Sequence, residues 1–392
     1  MRSKPSRVRP LVTRRAFVAG SLASLTGLIG LTGCRDEAGT PTATPTVAVP
    51  TPTPVLNVEG YTDPTRWAGR EIVVATASGE YEDAQRLTIF EPFERLTGAA
   101  VSVEALNLDD LRAQVESGDV IWSLCDVATD DVLRLANAAL IQDIDYTIVD
   151  GIDLYPGTRM SQGVGSSLFS VVMALRTDIY TSVPSSWQDF WNLVQFPGNR
   201  GLQRSPIGTL EFALLAAGVP ISALYPIDID RAFEMLDLIK PFVFLWWEQG
   251  AQPVQLLASN DAALASAWHN RVERLSEEGA PISISWNGTA VDADSWVVPA
   301  GAPETELAMD LINFATRPEV CAAFSAHFPF GPTNQRAYEF LLPEAIETLP
   351  GSPALAGVQF TLDFEWWFQN GEETTLRFEE WLSLELPVEE EE

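Results

Sequence analysis

The 392-residue chain has only two histidines, His269 and His327, and three cysteines, Cys34, Cys125 and Cys321. No Cys-x-x-Cys, His-x-x-x-His or His-Glu-x-x-His spacing occurs, so no metal ligand set is written into it. Histidine-based proton transfer has little material, and the Gly-x-Ser-x-Gly turn of α/β-hydrolases is missing. The chain therefore reads as a binding protein, not an enzyme, with no cofactor. Its seven tyrosines stand apart from one another, which leaves a ferric-ion binder without adjacent hard oxygen ligands. Positive charge is scarce as well: 24 Lys and Arg face 54 Asp and Glu, a formal net charge of −30. Such a balance excludes nucleic acid, whose binding depends on neutralising phosphates. It favours cationic solutes near the surface, within a screening length of about 10 Å.

What is present begins with an address. Residues 1–33 hold a basic start, the paired Arg14 and Arg15, an apolar run, and Leu31, Thr32 and Gly33 just before Cys34. This is an export signal. It resembles a twin-arginine signal joined to a bacterial lipobox, which implies cleavage before Cys34 and a lipid on its thiol. Four glycines in the apolar run argue against the alternative, an uncleaved membrane anchor. The leader has six basic and no acidic side chains, so its removal takes the formal charge to −36. Residues 34–68 are rich in Thr and Pro and form a tether. Its first 24 residues after Cys34, in a polyproline-like state, reach roughly 70 Å from the membrane.

The remainder, in a chain that is 46% hydrophobic, is long enough for two domains. Strand-like runs at 71–75, 101–105 and 121–127 alternate with helical runs at 83–96, 109–117 and from Thr129, the pattern of a parallel sheet covered by helices. The Gly163–Ser167 stretch GVGSS lacks the lysine and following helix of a phosphate loop, and reads as a flexible or close-packed crossing into an apolar strand at 168–175. Cys125 and Cys321 fall in different elements, either bridged or two buried thiols.

Residues 247–271 give the sharpest local signal. Pro253 suits a helix start, Asn260 and Asp261 a turn, and 262–268 a strand buried on both faces that ends at Trp268. Asn270 is placed to cap the next helix, and Gly279 to end it. In open α/β sheets ligands bind at that strand end, beside helix N-termini. Trp268, His269, Asn270 and Arg271 are therefore candidate ligand contacts, the alternative being a core tryptophan and a solvated arginine.

FEPFERLTGAAVSVEAL, VPSSWQDFWN, PVQLLASNDAALASAW, DSWVVPAGAPETELAMDLINF and FGPTNQRAYEFLLPE, in this order, resemble the extracellular solute-binding proteins of ABC importers, nearest the spermidine/putrescine-binding type. The resemblance implies a two-lobed periplasmic-binding-protein fold of type II, α/β, each lobe a mostly parallel sheet flanked by helices, with the ligand cleft between lobes. It places lobe one at 69–170 plus 294–338 and lobe two at 171–293 plus 339–392.

Carried over position by position, the family's ligand contacts fall on Ser78, Glu80 and Tyr81 after the first strand, and on Ala128 and Asp130 after the third. Its indole wall falls on Trp268, its ammonium-binding carboxylate on Asp294, and its cleft aromatic on Phe330. The acidic pair that grips polyamines is Ser205 and Gly208 here, and a second tryptophan wall is Asp292. With Arg204 and Arg271 near cleft positions, a compact γ- or δ-amino acid is expected to fit better than spermidine, unless Asp130 and Asp292 restore a diamine site. The implied partner is an ABC permease, met by a monomer tethered to the outer face of the cytoplasmic membrane. A surface lipoprotein without a transport role is the alternative.

Overall fold

Three short β-α units open the fold. They are β1 (Glu71–Thr76), α1 (Glu80–Gln85), α2 (Glu91–Thr97), β2 (Ala100–Ala105), α3 (Leu108–Ser117), β3 (Leu124–Ala128) and α4 (Thr129–Asn137). A 13-residue strand β4 (Val164–Arg176) leads to α5 (Trp187–Trp191), β5 (Arg200–Gln203), α6 (Thr209–Ala216) and α7 (Ile229–Ile239). Next come β6 (Val243–Trp247), α8 (Ala251–Ser259), β7 (Leu264–Trp268) and α9 (His269–Glu277). A 16-residue strand β8 (Ile282–Val297) returns to α10 (Thr305–Ala315) and α11 (Pro318–His327), before α12 (Pro343–Ile346), β9 (Gln359–Thr361) and α13 (Phe364–Ser383). The computed structural model describes residues 57–384. The export signal, Cys34 and most of the tether lie outside the described residues, within which no helix is long and apolar enough to cross a membrane.

The strands run in the order β2-β1-β3-β8-β4-β7-β5-β6, with β9 beside β8. β1 is parallel to β2 and β3, and β5 is parallel to β6 and β7. Between these parallel blocks β4 and β8 form one long antiparallel pair, in which Phe169 faces Asp292 and Ser167 faces Asp294. The GVGSS stretch is the start of β4, not a flexible loop. A Cβ on Gly165 would lie 2.5 Å from Thr158 Cβ, so glycine is needed there for close packing. β8 is one continuous 16-residue strand because β4 pairs with it along both its early and its late stretches.

The expected single helix over 83–96 is broken by a π-turn at Arg86–Phe90. Pro92, just inside α2, has no N–H to give the preceding turn, and the ladder loosens where that bond is lost. Phe90 and Phe93 are fully buried in a first core with Trp296 of β8 and Leu307, Ile312 and Phe314 of α10. A second core joins Trp187, Phe190, Phe212, Leu236, Phe360 and Phe378. Each such side chain contributes about 1.5–3 kcal/mol of burial.

The tether assigned to 34–68 ends earlier than composition indicated. Val58, Tyr61 and Trp67 are buried in the first core. Tyr61 Oη and Trp67 Nε1 donate to the Asp310 carboxylate at 3.0 and 2.6 Å, so this segment belongs to the folded body. Cys125 and Cys321 are both buried, free thiols.

Candidate functional site

Two strands set the chemistry. Asp292 and Asp294 lie two apart on β8 and therefore point to one face, beside Phe169 and Ser167 on β4 and Ala128 on β3. β3 contributes Asp126, a carboxylate in an otherwise apolar strand. Asp126 accepts from Tyr81 Oη at 2.8 Å, Gln85 Nε2 at 2.6 Å and Ser166 Oγ at 2.6 Å. Tyr81 Oη also lies 3.0 Å from Ser167 Oγ, which donates to Asp294 at 3.3 Å. One polar chain thus runs from α1 through Asp126 and Ser167 to Asp294.

Above this chain is a cavity of about 200 Å³. Asp130, Asp292, Phe169 and Trp268 form one side of it. Gln203, Ser205, Ile207 and Gly208, leading into α6, form another, and Leu362, Phe364 and Trp367 close it from the start of α13. Among the described residues no Lys, Arg or His lines it. The volume is below the 300–1,000 Å³ usual for drug-sized ligands, so it suits a small metabolite.

Burial governs the charges here. Asp292 is pushed up to about 8, first by loss of solvent and then by the charge of Asp130. Asp294 is raised well above the usual carboxylate range by burial, then by Asp126 and Asp292. Asp126 is raised by burial against the pull of its three donors. Burial also raises Asp130, although Arg134, one turn along α4 at 3.0 Å, counters it. Crowding of carboxyl groups in a dry site disfavours their ionised forms, and a cation beside them favours those forms.

Of the sequence candidates, Asp130, Ser205, Trp268 and Asp292 line the cavity, as does Gly208. Tyr81 and Asp294 belong to the polar chain beneath it. The indole of Trp268 stands edge-on to Phe169 and Trp247, with centroids at 6.5 and 6.0 Å. Phe330 stacks on Phe169 at 5.7 Å and does not itself line the cavity whose wall it was expected to form.

Other candidates are elsewhere. Ser78 lies exposed in the turn between β1 and α1 and lines no described cavity. Glu80 and Arg271 line a separate crevice between α1 and α9, where Glu80 pairs with Arg274. Arg204 turns outward to Glu248 and Glu379 at 3.1 and 2.5 Å, so neither arginine proposed for a ligand carboxylate reaches the cavity. His269 is fully buried, and burial drives it down to about 4, so it is a neutral structural link. Asn270 also lines the separate crevice, and α9 is capped at Trp268 without a side-chain bond.

Sequence reasoning missed Asp126, Phe169, Gln203, Leu362, Phe364 and Trp367. Asp126 carried a readable signal, since a carboxylate amid buried apolar strand residues needs a reason. The aromatic run at 364–367 was visible, but its return to the cleft depends on β9 pairing with β8.

Residues 88–354 match the family of bacterial extracellular solute-binding proteins. The chain is 35% identical over 320 residues to the gamma-aminobutyric acid-binding protein of Pseudomonas aeruginosa, covering 80% of this chain and 91% of that one. It is 26% identical over 162 residues to the spermidine/putrescine-binding periplasmic protein of Escherichia coli, covering 41% and 46%. The crystal structure of an ABC transporter substrate-binding protein from Bradyrhizobium japonicum superposes with a TM-score of 0.77 at 33% identity, over 80% of this chain and 99% of that one. With its two parallel blocks, crossing strands and walled cavity, the chain belongs to the bacterial extracellular solute-binding protein family.

Proposed function

We propose that this chain captures a compact solute bearing an ammonium group and hands it to an ABC permease. One observation carries the reading: Asp130 and Asp292 line a small cavity backed by Asp294 and Asp126, and no basic side chain among the described residues shares its wall. An ammonium group gives these carboxylates charge-assisted hydrogen bonds. The Trp268 face adds a cation–π contact of about 0.5–2 kcal/mol. The relatives' names, one for gamma-aminobutyric acid and one for spermidine and putrescine, support an amine.

Lobe one then spans 69–170 plus 294–338, extended back to Val58, and lobe two spans 171–293 plus 339–392, with the cavity closing by relative motion of the two. Cys34 carries the lipid that keeps the monomer at the membrane, and delivery of the solute, not its conversion, is the output.

Calorimetric titration of 4-aminobutyrate, putrescine and spermidine tests the ligand class. At least one amine binds the wild type, and Asp292→Asn loses that binding while Arg271→Ala keeps it. Binding of anionic or neutral solutes alone overturns the reading.

A further inference from the structure

Beyond the lobe-two wall of the cavity lies a carboxylate that no step so far uses. Glu211, in the first turn of α6, is completely buried. Its Oε1 accepts from Tyr225 Oη at 2.5 Å and from Trp367 Nε1 at 2.8 Å. Its Oε2 is buried with no side-chain partner, facing at most the backbone N–H groups of Gly208 and Glu211 at the start of α6. Two of its neighbours, Gly208 at the cap of α6 and the bonded Trp367, line the cavity. The rise at Asp292 is due first to burial and then to Asp130, and the charge of Glu211 adds to it.

An acceptor left unmade in a dry interior is costly, and a buried carboxylate without a cation costs more. Trp367 and Tyr225 both bond one oxygen, and the other has no side-chain donor and no cation. Through its bond to Trp367 and its place one turn from Gly208, the carboxylate lies behind the wall of the cavity at which Ser205 and Gly208 supply no charge and Arg204 is held outside by Glu248 and Glu379.

We infer that Glu211 is a specificity-determining residue, making the lobe-two end of the cavity a second anionic pole that favours a ligand whose far end is an ammonium or other donor over one whose far end is a carboxylate. This rests on the proposed capture of the first ammonium group by Asp292 and Asp294. Glu211 acts through its field and through the Trp367 indole that it orients, so it selects among amines without being needed to hold the first one.

Three probes with the same four-carbon chain separate the two ends: butylamine, 1,4-diaminobutane and 4-aminobutanoate. In wild type, 1,4-diaminobutane binds most tightly and 4-aminobutanoate most weakly. At pH 8.5, above the value of about 7 to which burial raises Glu211, Glu211→Gln keeps an oxygen for Trp367 and Tyr225 but removes the charge. In that variant the preference for diaminobutane over butylamine falls by about tenfold, the scale of one charge-assisted bond, while butylamine affinity stays within about threefold. An unchanged preference, or equal weakening of all three probes, overturns the inference, because a purely structural Glu211 gives one of those results. Should Glu211→Gln not fold, the wild-type order decides alone: 4-aminobutanoate binding more tightly than butylamine overturns it. If none of the three binds the wild type, the ammonium reading itself has failed.

Discussion

His269 Nε2 donates to the carbonyl of Pro329 at 2.6 Å, while its Nδ1 accepts from the Ser170 N–H at 3.2 Å. One neutral imidazole therefore ties the start of α9 to β4 and to the segment after α11. Phe330, next to Pro329, packs against this ring at 5.4 Å, so the tie also supports the aromatic layer behind the cavity. Replacing His269 with Ala strands a buried carbonyl and amide, at about 1–3 kcal/mol. A lower midpoint in denaturant titration at pH 7, with an unchanged slope, is the expected result.

Gly250, just before α8, has an ordinary helical backbone conformation. A Cβ there would lie 2.4 Å from Trp268 Cε3. Gly250→Ala therefore moves the indole rather than straining the backbone. Amine affinity falls by about 2- to 30-fold, up to the worth of the cation–π contact, and Trp268→Ala shows a similar loss. Calorimetry checks both, with circular dichroism confirming an intact fold.

Binding and stability depend on pH with opposite signs. Asp292 and Glu273 are raised to about 8 and Glu211 to about 7, chiefly by burial. A carboxyl raised in the folded state gives stability that is fully present below its unfolded value and is lost as pH rises through the folded value. The ligand-free melting temperature thus falls from pH 6.5 to 8.5. Over the same window an amine gains an ionised Asp292, so the ligand-induced rise in melting temperature grows, and Asp292→Asn removes most of that growth. His269, lowered to about 4, destabilises as pH falls from about 6.5 toward 4, outside this window. Thermal melts with and without ligand at three pH values are sufficient.

Glu80 and Arg271 face the crevice between α1 and α9, away from the candidate cavity. Glu80→Gln and Arg271→Ala should each change amine affinity by less than about fivefold, the range expected of exposed surface charges outside the cavity. Equilibrium titration of both variants checks this, and a larger loss would place the ligand in the other crevice.

The sheet class and the end of β7 at Trp268 were legible because strand alternation and apolar runs are local signals, whereas Asp292 and Asp294 were legible only through the family resemblance. Trp268, read from the strand pattern, and Asp130 and Asp292, carried over from the family, all line the cavity. Arg204 and Arg271 did not, since nearness in sequence says nothing about which face of a turn or helix a long side chain takes. Their directions depend on Glu248, Glu379 and the packing of α9. Trp367 and Phe169 were hidden for a related reason: the cavity wall comes from segments almost 200 positions apart, joined only by the ladder.

That ladder also bears on how the chain acquires its fold. The first core is seeded by Ile72, Phe90 and Phe93, yet it closes only with Trp296 from β8 and Phe314 from α10. An emerging polypeptide must therefore make more than half its length before its first lobe has a lid, and must hold Phe90, Phe93 and Leu124 uncovered meanwhile. Contacts at such separation fold slowly, and exposed apolar side chains aggregate in the interval. A chain stopped after β7 would lack the strand that joins β3 to β4, and would leave β3 and β4 each with a raw edge.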